Sequence, residues 1–181
     1  MGRSVPAHWF VRLFAGVWPP AEVADRLSRL QQPRVAGVRW ATPAKWHVTL
    51  AFLGQVPDTV VPAMGAALVD LAARAAVPPE AVLGPAVGVL GRNVLCVPVA
   101  GLDEVAHDVR ASLPGEAAQA ASPFSGHLTL ARVQGRRRMP LTLAGEPVEG
   151  KWTVHELRLV ASTTDREGAR YTTVARATIP S

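Results

Sequence analysis

Apolar residues fall along this chain in short alternating or continuous runs, broken by helical stretches and by proline- or glycine-rich turns. Trp9 to Val17 is aromatic and β-branched and predicts a buried strand. Pro19-Pro20 end it and open a helix from Ala21 to Gln31, with Val23, Leu27 and Leu30 on one face. Val38-Arg39-Trp40 predicts a short extended piece, and Trp46 to Leu53 alternates as a strand that Gly54 closes. Pro57-Asp58 begin a long helix to about Ala76. Beyond Pro78-Pro79, Ala86 to Val99 holds two short strands around the Gly91-Arg92-Asn93 turn. Leu102 to Leu113 predicts a helix, and His127 to Val133 a strand. Val154 to Ser162 and Tyr171 to Ile179 form closing strands around the Asp165-Arg166-Glu167-Gly168 turn. Strands mixed with helices and joined by hairpin-like connections predict an α+β fold with largely antiparallel sheets.

One similarity reorganises this list. His47-Val48-Thr49-Leu50-Ala51 and His127-Leu128-Thr129-Leu130-Ala131 agree at four of five positions and lie eighty residues apart, nearly half the chain. The plain reading is two related lobes, each supplying one such strand. Side chains alternate along a strand, so His47 and Thr49 share one face and Val48 and Leu50 the other. The second strand repeats this with His127 and Thr129 against Leu128 and Leu130. If the lobes face each other across a cleft, two imidazoles and two hydroxyls converge. That set suits phosphodiester hydrolysis. Histidine titrates near neutrality, so one ring can serve as base and the other as acid. Threonine hydroxyls can hold the non-bridging oxygens, and no covalent nucleophile is needed.

Composition adds little that is specific. With 181 residues, 49% of them apolar, the chain fits one globular domain of two small lobes and excludes a disordered one. A net charge of +5 favours an anionic partner, although an arginine-rich coding bias would give the same figure. No apolar run is long enough for a bilayer and the N-terminal residues lack a secretory core, so a cytoplasmic protein is expected. The single cysteine, Cys96, lies in an apolar run and is read as a small buried hydrophobe.

A metal centre is the rival for paired histidines. Neither motif is followed by a carboxylate at ligand spacing. His155-Glu156-Leu157-Arg158-Leu159 begins like a zinc-protease helix, but position 159 is leucine. No metal or other cofactor is expected. His8, His107 and His155 are read as surface or structural.

These residues resemble the 2H phosphoesterases, most of all the RNA 2',3'-cyclic phosphodiesterase branch, historically 2'-5' RNA ligases. Arg12 to Pro19 looks like the first strand of that family. Arg39 to Gly54 and Ser122 to Arg132 look like its two signatures, and Val154 to Ser162 with Gly168 to Tyr171 its closing hairpin. The resemblance implies a bilobal fold with a central cleft, pseudo-two-fold symmetry and helices outside. It implies metal-free hydrolysis of RNA 2',3'-cyclic phosphate ends, tRNA-derived ends among them, to 2'-phosphomonoesters by a monomer, with minor reverse ligation. It implies His47 as proton donor and His127 as acceptor; the near-symmetric motifs fix the pair but not this order.

Around them, Thr49 and Thr129 are expected at the phosphate. Phe14, Arg132 and Tyr171 are candidate substrate contacts. Strand alternation places Arg132 with Leu128 and Leu130 unless the strand bulges, and Phe14 suits the core better than a stacking role. Arg136 to Arg138 either track an RNA backbone or form a solvated loop. Gly126 departs from the family, which usually has proline there, and a glycine loosens the approach to His127. Two rival functions remain: a phosphodiesterase for a small cyclic nucleotide or ADP-ribose cyclic phosphate, and a non-catalytic RNA-binding module.

Overall fold

The computed structural model describes residues 9–113, 123–135, 137–165 and 168–180. Helix α1 (Ala21–Ser28) follows strand β1 (Phe10–Val17) and buries Val23 and Leu27. It stops short of the predicted Gln31 because its last turn tightens: Arg29 and Leu30 donate to carbonyls three residues back. Strand β2 (Val38–Trp40) lies where the sequence placed it. Strand β3 (Val48–Pro57) runs three residues past Gly54, which sits inside it at φ 71°. There Leu13 opposes Gly54 while Phe14 opposes Phe52, so the glycine serves a bulge and does not end the strand.

A single 3-10 turn at Asp58–Val60 leads into helix α2 (Val61–Arg74), which buries Met64, Leu68 and Ala72 at a helical repeat. Strands β4 (Glu80–Leu83), β5 (Gly88–Leu90) and β6 (Val94–Ala100) follow. Next come α3 (Asp103–Ser112), β7 (His127–Val133), β8 (Gly150–Thr153), β9 (Glu156–Asp165) and β10 (Gly168–Thr178). Four-residue β4 and β8 escaped sequence reading because so short a run carries little periodicity, and β8 buries only Trp152. His8, Arg136 and the tip of the closing turn at 166–167 lie outside the described residues.

Every strand pair is antiparallel. The order is β10-β9-β1-β3-β7-β6-β4-β8, with β2 added to β7 and β5 to β6. The strands form one curled antiparallel sheet of two halves, a half-barrel. The halves join where β3 meets β7 through one opposed pair, Val48 and Leu128, and where β2 pairs with β7. Each of these residues directly follows a motif histidine, so the pseudo-two-fold axis passes through this pair. Both are fully buried among Leu13, Leu50, Leu95 and other core residues. Each fully buried aliphatic side chain here contributes roughly 1.5–3 kcal/mol. The seam is therefore dry and firmly packed, which fixes the residues flanking it. Among the described residues, no helix is long and apolar enough to cross a membrane.

Candidate active site

The two motif strands share a distortion that the sequence does not announce. Along β3 the register against β1 slips between Ala15 and Gly16, leaving Leu50 as an extra residue. Along β7 the register against β6 slips between Leu95 and Cys96, leaving Leu130 extra. Two consecutive residues are buried at each place, Leu50 with Ala51 and Leu130 with Ala131. An extra residue reverses the alternation beyond it. The residue five positions after each histidine therefore returns to the histidine face. It is Phe52 in one half and Arg132 in the other. Uniform alternation would have kept Arg132 with the leucines. The bulge turns it to the cleft, where its guanidinium lies 3.5 Å from the Thr129 hydroxyl.

Both histidines are tethered alike. Nδ1 of His47 lies 2.7 Å from the Lys45 carbonyl oxygen, and Nδ1 of His127 lies 2.8 Å from that of Ser125. A carbonyl only accepts, so each Nδ1 carries the proton and donates it. Each Nε2 is left for the cleft, as a base when bare and an acid when protonated. Gly126, just before His127, is not loose. Its carbonyl accepts from the Val99 N–H at 2.9 Å, and a Cβ at this position would collide with the Val99 oxygen. Glycine is required by that close approach, which corrects the expectation of a slack lead-in.

Their surroundings differ. His47 stacks on Trp18 at 5.0 Å and lies 4.9 Å from Phe14 and 5.3 Å from Tyr171, whose ring meets it edge-on. Burial holds its pKa at about 4, against an ordinary 6.5; the Lys45 carbonyl opposes this, and the charges of Arg132 and His127 reinforce it. Trp18 is braced from behind: its Nε1 donates to the Ala44 carbonyl, and the Arg158 guanidinium lies 4.9 Å over its ring. Arg158 is held in turn by Glu156, which also pairs with Arg176.

A cavity of about 620 Å³ opens on this face, and His47, Thr49, His127, Thr129, Arg132 and Tyr171 all line it. Phe14 lines it too but is only 3% exposed, so it packs beneath His47 and does not offer a free ring. Burial raises the Tyr171 pKa, keeping its hydroxyl protonated. Sequence reasoning missed Phe52, 53% exposed on the cavity wall, and Trp18. It also missed Arg110, which donates to the Leu50 carbonyl at the bulge and lies over the Phe124 ring near the second motif. Only the doubled apolar step in each motif hinted at a bulge. Arg137 donates to the Ala36 carbonyl and so anchors its loop to the chain before β2. His107 and His155 are exposed, and Cys96 is buried. Among the described residues, no three His, Cys, Asp or Glu side chains gather as metal ligands do.

No curated protein sequence matches the chain. The profile of the LigT like Phosphoesterase family matches residues 17–80, which include the first histidine motif. Among solved structures, the protein TT0787 of Thermus thermophilus is similar at 26% identity and a TM-score of 0.75, covering 93% of this chain and 97% of that one. Escherichia coli LigT complexed with NADP+ is similar at 28% identity and a TM-score of 0.69, covering 94% and 99%. The same protein complexed with 3'-AMP gives 27% identity and a TM-score of 0.68, covering 96% and 100%. These findings support phosphoesterase activity on a phosphodiester. In sequence over residues 17–80, and in fold over nearly its whole length, the chain is similar to the LigT-like phosphoesterases.

Proposed function

We propose that this cleft hydrolyses 2',3'-cyclic phosphodiester ends of RNA to 2'-phosphomonoesters, without a metal or a covalent intermediate. The observation that carries the reading is the matched pair of tethers. Two imidazoles on either side of one buried seam each have Nδ1 committed to a carbonyl, and Nε2 remains for a phosphate between them. One ring takes a proton from water as it attacks phosphorus in line, and the other gives a proton to the departing ribose oxygen. Thr49, Thr129 and Arg132 donate to the non-bridging oxygens, where charge must be held in the transition state. Phe52 offers an aromatic face to the terminal base.

By the family pattern His47 is the donor and His127 the acceptor. Burial of His47 by the protein alone favours the opposite order, because a ring with a pKa of about 4 is neutral near pH 7. The donor order therefore requires the phosphate anion to recharge His47 on binding. A pH profile does not separate the two orders, since both use one protonated and one bare ring. A leaving group does. An aryl phosphodiester, whose leaving oxygen departs without a proton, should be cleaved by the variant lacking the acid and not by the variant lacking the base.

The function itself is tested with a cyclic-ended oligonucleotide. His47→Ala and His127→Ala should remove nearly all turnover while leaving RNA binding largely intact, and a strong chelator should leave the wild type unaffected. Wild-type protein that binds RNA and turns over no cyclic phosphate would be a binding module instead. Turnover confined to cyclic mononucleotides or to ADP-ribose cyclic phosphate would move the substrate from RNA to a small nucleotide.

A further inference from the structure

Strand β2 places Arg39 directly opposite Arg132 of β7. Directly opposed residues of an antiparallel pair share a face, so two guanidiniums stand side by side, both exposed and both on the cavity wall. Like charges so placed weaken a sheet. Among the described residues, no carboxylate forms an ion pair with either. Arg12 and Lys45 add two more cations to the lining, which among the described residues contains no aspartate or glutamate. A cyclic phosphate brings one negative charge. Arg132, on the histidine face beside Thr129, meets that charge and leaves Arg39 uncompensated.

We infer that Arg39 forms a second phosphate subsite beside the reacting one, for the phosphate on the 5' side of the terminal nucleoside. This rests on the phosphodiesterase reading above. It makes the ligand a nucleotide chain end carrying two phosphates on one ribose, and not a cyclic nucleoside with one. The arrangement joins the two halves of the molecule. β2 follows the first helix, β7 carries the second motif, and their pairing puts the two phosphate positions one strand apart. An anion bound at Arg39 also relieves the repulsion between the two guanidiniums.

Binding of stable product analogues tests this whether or not the protein turns over. Adenosine 2'-monophosphate, adenosine 2',5'-bisphosphate and a dinucleotide ending in a 2'-phosphate are titrated calorimetrically into wild-type protein and Arg39→Gln. The wild type should bind the bisphosphate and the dinucleotide at least about tenfold more tightly than the monophosphate. Arg39→Gln should erase that advantage and lower the salt slope of dinucleotide binding by about 0.7, the value for one single-strand phosphate contact. The same variant should melt at a temperature no lower than the wild type, because it removes a repulsion, whereas a merely structural arginine would lower it. An equal affinity of the wild type for all three ligands would overturn the proposal, as would an advantage that survives in Arg39→Gln. A gain seen with the bisphosphate but not with the dinucleotide would overturn the chain-end reading in favour of a free small nucleotide. Failure of the phosphodiesterase reading shows separately, as absent turnover with these affinities intact.

Discussion

The two halves of the cleft share a backbone and differ in what surrounds it. Each presents His-x-Thr, ties Nδ1 to the carbonyl two residues upstream, and bulges at the following leucine. Yet His47 sits in an aromatic wall of Phe14, Trp18 and Tyr171, while the second half carries Arg132 where the first carries Phe52. The first half is the drier side and suits a base or sugar. The second is the cationic side and suits a phosphate. In the proposed function, symmetry aims the groups at one phosphate, and its breaking gives them unequal roles.

The comparison is broken most severely at its shared elements. His47→Ala and His127→Ala should each lower kcat by about 10²–10⁴-fold, since each removes one acid or base. Retained melting temperatures would show that the loss is chemical. Next comes the position that differs. Arg132→Ala should cost about 10²–10³-fold in kcat, the usual loss for one transition-state donor. Phe52→Ala should act mainly on KM, raising it by about tenfold, because stacking on one base is worth about 1–3 kcal/mol. A larger loss of kcat than of affinity at Phe52 would contradict its assignment to base binding.

The unequal surroundings also predict a stability signature. The folded-state pKa of His47, about 4, lies below the ordinary 6.5. The unfolded chain therefore takes up the proton first as pH falls. The protein should lose stability between pH 6.5 and 4, by on the order of 3 kcal/mol in all, and no further from this group below pH 4. Urea melts of wild type and His47→Gln across that range should show the loss only where the histidine is present. The smallest effect is expected from Trp18→Leu. Water reaching the ring should raise the His47 pKa and move the acid limb of kcat/KM upward from about 4, with kcat at neutral pH changed only modestly.

What the sequence revealed follows from periodicity. The two histidine strands were legible because alternation fixes faces locally, and the closing hairpin β9–β10 because its runs are long. Helix ends were less so, since α1 ends in a tightened turn after Ser28 that no residue type announces. The cleft-facing positions of Phe52 and Arg132 were hidden because a bulge is defined against a partner strand. The doubled apolar steps Leu50-Ala51 and Leu130-Ala131 were its only trace. Trp18 reaches His47 across β1 and β3, a tertiary contact that no spacing encodes. Gly126, which looked like slack, is a tight fit against a neighbouring carbonyl that the sequence does not show.

The most direct test of paired imidazoles acting on one phosphorus is the identity of the product. A cyclic-ended oligonucleotide incubated with the protein and a strong chelator should yield a 2'-phosphomonoester, with one solvent oxygen incorporated in a single turnover. A 3'-monophosphate, or no product until a divalent metal is returned, would contradict the account.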